Sequence, residues 1–166
     1  MKMNSDTASK LIKNLQSEID MLLRAEKRDC TYSHSPSETP IVPEYSFADT
    51  QKRLEELRGN MAALRHAVNR FNIETKVPGF DITVDEALGH MSRLNEDKRR
   101  LSSLASIPEI TRSREYGSKE PDLVHRNFSN EEVQAAYKET CDQLMRIQQA
   151  INVANLTIEF DVDVIL

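Results

Sequence analysis

Apolar positions along most of this chain recur at alternating steps of three and four residues, the period of an amphipathic α-helix, and only two segments alternate as strands do. From about Asp6 to Lys27, Ala8, Ile12, Leu15, Ile19 and Leu22 form one stripe behind an N-cap at Ser5 or Asp6. A second helix opens at Ser46 and carries the longest seam: Phe47, Thr50, Leu54, Leu57, Met61, Leu64, Val68 and Phe71. At about 1.5 Å of rise per residue, the stretch from Ser46 to Ile73 makes a rod of roughly 42 Å. Val77-Pro78-Gly79 stops it, and Thr83 with Glu86 supplies a capping box for a third helix. Val84, Ala87, Met91, Leu94, Leu101 and Ala105 give that helix its stripe, which Lys98 interrupts, and it ends before Pro108. Ser129 and Glu132 form another capping box, followed by Val133, Tyr137, Thr140, Leu144, Ile147, Ile151 and Ala154.

Between these helices, EITRSREYGSKEPDLVHRNF (residues 109–128) alternates about a Tyr116-Gly117-Ser118 turn and reads as short strands. In the tail, Ile158, Phe160, Val162 and Val164 alternate with Glu159, Asp161 and Asp163, a strand signature that needs a neighbour. Residues 29–45, containing CTYSHSPSETPIVPEY, have no period and are rich in Pro, Ser and Thr, the composition of a surface loop or mobile lid.

One phrase occurs twice. AVNRFNIE (residues 67–74) and AINVANLT (150–157) are related by an offset of 83, which also maps Ser46 onto Ser129, Leu54 onto Tyr137, Met61 onto Leu144, Leu64 onto Ile147 and Val68 onto Ile151. Cap and seam keep register together, the mark of two related helical hairpins. The expected fold is therefore mainly all-α: an antiparallel four-helix or helical-hairpin bundle in one domain, residues 1–166, with hairpin one at 6–73 and hairpin two at 83–156. A small β element is expected at about 109–128 and 157–164, within a C-terminal strand segment at 157–166.

Composition narrows the function classes. With 30% charged residues, no Trp, 4 Gly and a mean hydropathy of −0.57, the chain suits long amphipathic helices, with a coiled-coil character in its seams, better than a thick globular core. A net charge of −5 argues against nucleic acid as a partner, because phosphate-backbone affinity comes from clustered Lys and Arg. No apolar run approaches the ~20 residues needed to span a bilayer, and Met1–Ser5 lead into a polar helix rather than a signal peptide, so membrane is not an expected partner and the expected location is cytoplasmic. Cys30 and Cys141 form no metal set with His34, His66, His90 and His125 and read as free thiols.

The duplicated phrase places Asn69 and Asn72 beside the seam of one helix with Arg65 one turn earlier, and Asn152 and Asn155 beside the seam of the other with Gln148. Two readings stand. In one, Asn72 and Asn155 help to end their helices through the left-handed conformation while Asn69 and Asn152 bond across an interface. In the other, pseudo-symmetry gathers Asn69, Asn72, Asn152 and Asn155 around a polar pocket to which Arg65 lends charge for a small anionic ligand.

The runs LRHAVNRFNIETKVPGFDITVDEALGHMSRL and MRIQQAINVANLTIEFD, with ITRSREYG between them, resemble a bacterial family of helical proteins labelled septicolysin, over most of residues 8–161. The likeness rests on Asn69, Asn72, Thr83, Glu86, Ala87 and Leu88, on Arg112 and Arg114, and on Ile151, Ala154, Asn155, Thr157 and Glu159. It implies a helical core with a small β element and self-association, and no particular activity.

Ile110, Arg112 and Arg114 share a face if ITRSRE is a strand, and Glu159, Asp161 and Asp163 share one in the tail. Opposite charges on paired strands set register, at ~0.2–1 kcal/mol per pair; the sharper alternative makes Arg112 and Arg114 phosphate ligands. Lys98-Arg99-Arg100, flanked by Glu96 and Asp97, reads as a solvated face. The tail carboxylates lack EF-hand spacing, and no Walker, Rossmann or nucleophile-elbow motif occurs, so no metal, cofactor or catalytic residue is expected. The expectation is a non-enzymatic, self-associating homo-oligomer; the alternative is a protein that binds or sequesters a small anionic nucleotide or metabolite at a helix or subunit interface.

Overall fold

The computed structural model describes residues 1–113 and 120–163. Four helices carry most of the chain: α1 (Ser5–Asp29), α2 (Phe47–Glu74), α3 (Val84–Ala105) and α4 (Asn130–Thr157). Among the described residues four short strands, β1 (Lys2–Asn4), β2 (Ile110–Ser113), β3 (Asp122–His125) and β4 (Glu159–Asp161), pair into two separate antiparallel ribbons, β1 with β4 and β2 with β3. The fold is mainly α with a small β element, as the periodicity predicts. Contacts divide the chain into two compact units, Met1–Thr75 with Val153–Leu166, and Lys76–Asn152.

In the first unit α1 and α2 form an antiparallel hairpin. Arg53 near the start of α2 reaches back to Glu18 (3.2 Å), and the Tyr45 hydroxyl, just ahead of α2, donates to Glu26 (2.7 Å). The predicted stripes meet: Ala8, Leu15 and Ile19 pack with Leu54, Leu57 and Leu64, while Ile12, Leu22, Met61 and Val68 line the edges. Ala67, which is not among the seam positions, joins this core, and Phe47 in the first turn of α2 is exposed. Full burial of a side chain such as Leu57 or Leu64 contributes ~1.5–3 kcal/mol.

The tail alternation holds through Val162: Val162 is buried and Phe160 packs its ring on Phe71 at 5.0 Å. Its neighbour, however, is β1, which three residues directly before a helix cannot announce by any period. Lys2 lies opposite Asp161, Met3 opposite Phe160 and Asn4 opposite Glu159, and the Val162 N–H donates to the Met1 carbonyl (2.8 Å). Among the described residues the charge-matched pairing expected of the tail carboxylates and the Arg112 segment is not made: β4 pairs with β1, and β2 pairs with β3. The N-cap of α1 also moves by one residue. Asn4 Oδ1 accepts from the Thr7 N–H (2.8 Å) while Asn4 Nδ2 donates to the Leu156 carbonyl (2.8 Å), and Ser5 is buried as the first helical residue.

The second unit opens on the turn that stops α2. The Phe80 N–H donates to the Val77 carbonyl (3.0 Å), Pro78 fills the second position, and Gly79 takes φ +81, the geometry of a type II turn. Lys76 pairs with Asp81 and bridges Thr83, which delivers the chain to the capping box: Thr83 Oγ1 accepts from the Glu86 N–H (3.2 Å), and the Glu86 carboxylate accepts from the Thr83 N–H (2.7 Å). Val84, Ala87, Leu94 and Leu101 are buried along α3, and Val133, Ile147, Ala150 and Ile151 along α4. Ser129 caps α4 by accepting from the Glu132 N–H (3.4 Å). The repeat keeps its register in three dimensions, since the offset of 83 carries both ends of α2 onto both ends of α4, each helix having 28 residues. In the β2–β3 ribbon Ile110 faces His125 and Arg112 faces Leu123, and the Arg126 N–H extends the ladder to the Glu109 carbonyl (2.9 Å). The expected turn at Tyr116-Gly117-Ser118, together with Arg114, Val164 and the last two residues, lies outside the described residues.

Candidate functional site

The paired asparagines stay helical. Among the described residues no non-glycine has a positive φ, so neither Asn72 nor Asn155 is a left-handed cap; Thr75, in extended conformation, ends α2 instead. Arg65 and Asn69 are exposed on α2, and Asn72 is half-buried one turn on. Asn152 accepts from the Gln148 side chain on its own helix (2.9 Å), an intrahelical use of the polar stripe. Asn155 is half-buried, and its Oδ1, like Oδ1 of Asn130, is buried with no hydrogen-bond partner among the described residues. Arg112 is exposed on β2 opposite Leu123; Arg114 lies outside the described residues.

A concentration of unpaired polar groups appears elsewhere, where Lys98 interrupts the α3 seam. Leu94 and Leu101, one turn to either side, are buried, whereas Lys98 is half-buried. Beside it opens a cleft of about 770 Å³ lined by Asn95, Lys98, Arg99, Ser102 and Ser103 of α3 and Tyr137 of α4. No carboxylate among the described residues lines it. Among the described residues neither Lys98 nor Arg99 has an ion-pair partner, and the Ser103 hydroxyl donates to the Arg99 carbonyl (3.0 Å). A second cleft between the same helices, about 420 Å³, shows the contrast: Arg93 and Arg100 line it together with Asp97 and Glu139, and Arg100 pairs with Asp97 at 3.4 Å. Arg100 thus belongs to the solvated, charge-balanced face read from the sequence, while Lys98 and Arg99 do not. The signal in the sequence was the single break in the seam at Lys98.

Other clusters are weaker. His90 lies in a groove of about 330 Å³ with Ile82, Glu86, Gly89 and Arg93, but the Glu86 carboxylate is engaged in the capping box, and among the described residues no Ser, Thr or Cys lines the groove. Among the described residues no group of three His, Cys, Asp or Glu side chains is placed to hold a metal ion, and none of the helices is long and apolar enough to cross a membrane. Cys30 and Cys141 are free thiols.

The β2–β3 ribbon is the other unusual surface. All eight of its residues are exposed, among them Ile110, Leu123 and Val124 at 51%, 56% and 53%. At its base the Arg126 guanidinium donates to the Ile107 carbonyl (3.1 Å) and lies over the Phe128 ring at 5.5 Å.

No family model and no curated protein matches the chain. Among solved structures it is similar to one described as a functionally unknown conserved protein from Corynebacterium diphtheriae, with a TM-score of 0.66 and 16% identity over 97% of this chain and 100% of that one. At that identity the likeness speaks for the fold alone.

Proposed function

We propose that this chain is a non-enzymatic, cytosolic helical protein that self-associates through the β2–β3 ribbon, and that it belongs with the septicolysin-like proteins its asparagine and capping segments resemble. The observation that carries this reading is a ribbon in which every residue is exposed, three large aliphatic side chains among them. A two-stranded ribbon is marginal in water, and three or more strands, or a covering surface, give it stability. A second copy supplies both. Arg112 guards the outer edge of β2, whereas β3 offers Leu123 and Val124 with no Lys or Pro inside the strand, so the β3 edge is the one open to pairing. Two such edges related by a two-fold axis make a four-stranded sheet in which Leu123 faces its own copy.

Native mass spectrometry of the full chain tests this. The expected result is a multiple of 19.0 kDa that collapses to the single-chain mass in Leu123→Lys, with the helical circular dichroism of both proteins the same. A wild-type protein that stays at the single-chain mass, or a Leu123→Lys variant that assembles as well as wild type, would overturn the reading.

A further inference from the structure

We propose that the cleft between α3 and α4 is a binding site for a small phosphorylated metabolite, its phosphate held by Lys98 and Arg99 and its body lying against Tyr137. Three observations converge on this. A lysine stands half-buried at a stripe position of α3 whose neighbours Leu94 and Leu101, one turn to either side, are buried, and it lines the cleft. Its two cations have no carboxylate partner among the described residues, although Asp97 and Glu139 on the same two helices balance the neighbouring cleft. The remaining lining suits oxyanions: among the described residues no side-chain hydrogen bond engages the Asn95 amide or the Ser102 and Tyr137 hydroxyls, which leaves each able to donate.

A phosphomonoester matches this set. Close to two negative charges at neutral pH neutralise both cations, the fork of Arg99 engages two oxygens together, and Lys98 acts as a point charge from the cleft wall. At about 770 Å³ the cleft falls in the range of small-molecule sites and exceeds what inorganic phosphate alone would fill, which leaves room for an organic body beside the Tyr137 ring. The chain as a whole is acidic, at −5, so long-range attraction does not bring the anion in and affinity rests on these local groups. All six residues belong to one compact unit of one chain, so the site does not depend on self-association.

The test is isothermal titration calorimetry of the full-length protein with adenosine monophosphate and with inorganic phosphate, on wild type, Lys98→Leu and Arg99→Gln. Expected are saturable binding of the nucleotide at one per chain, tighter than that of phosphate, and a loss of about tenfold or more in affinity in each variant, the scale of one charge-assisted hydrogen bond. Lys98→Leu restores an apolar residue to the seam, so its melting temperature should equal or exceed that of wild type, which separates lost binding from lost folding. No saturable heat with either probe would overturn the proposal, as would nucleotide binding unchanged in Lys98→Leu. Sedimentation with phosphatidic acid vesicles in the absence of nucleotide binding would assign the cleft to a lipid headgroup and overturn it as well.

Discussion

Individual side chains here are governed by whether a partner stands within reach. Tyr45 lies where the long loop rejoins α2, and its hydroxyl donates to Glu26 at 2.7 Å. That hydrogen bond, with partial burial and the carboxylate charge, disfavours the phenolate and pushes the pKa up to about 12. The sign follows directly. A phenol that ionises near 10 in the unfolded chain and near 12 in the native one leaves the native state binding more proton between those values, so its contribution to stability is complete below pH 10 and is lost as pH rises toward 12. The difference between the phenolate absorbance titrations of wild type and Tyr45→Phe should show one phenol with a midpoint about 12; a midpoint at the ordinary 10 would contradict the Glu26 contact. Nothing in the sequence pairs residue 45 with residue 26, because the intervening loop has no period. The asparagines teach the converse. Asn152 was legible as a polar position, but its use by Gln148 on the same helix depends on rotamers, and the unpartnered oxygen of Asn155 on tertiary surroundings.

At the scale of elements, local chemistry decided most of the boundaries. Ser46, Thr83 and Ser129 all cap the helices that they announce, and the stripes of α1 and α2 bury as their spacing requires, because caps and amphipathic periods are properties of a few consecutive residues. The turn between α2 and α3 is as local. Gly79 holds φ +81, yet a Cβ added there would meet nothing within 4 Å, so Gly79→Ala isolates backbone strain from packing. Denaturant unfolding should show a loss of ~1–2 kcal/mol, the cost of left-handed backbone for an L-residue. No loss would mean the turn rearranges freely. Strand pairing lacked such a local rule. The tail alternation identified β4 but not its partner, and the acidic and basic rows suggested a pairing that the fold does not make, because register energies of ~0.2–1 kcal/mol are outweighed by which strands the chain brings side by side. In the sequence Lys98 is a seam fault within a charged run, and only the lining of the cleft distinguishes it from Arg100 two residues on.

For the molecule as a whole, the decisive feature of the first unit is closure between the two ends of the described chain. β1 pairs with β4 across more than 150 residues of sequence, Met3 and Val162 are 4% and 1% exposed, and Asn4 both caps α1 and binds the Leu156 carbonyl at the last turn of α4. A two-stranded ribbon of three residues each would not persist alone, so the core beneath it must supply its stability. Met3 is the link, since it belongs to the same cluster as Leu15, Leu54 and Leu64 while its backbone lies in the ribbon opposite Phe160. Met3→Ala should therefore do two things together: lower unfolding stability by ~2–5 kcal/mol, as for other buried large-to-small changes, and speed hydrogen exchange at the Val162 amide, whose acceptor is the Met1 carbonyl. If stability falls while the Val162 amide keeps its protection, the ribbon holds by its own hydrogen bonds; if both respond, the helical core and the chain ends form one cooperative structure, with Met3 as the contact that couples them.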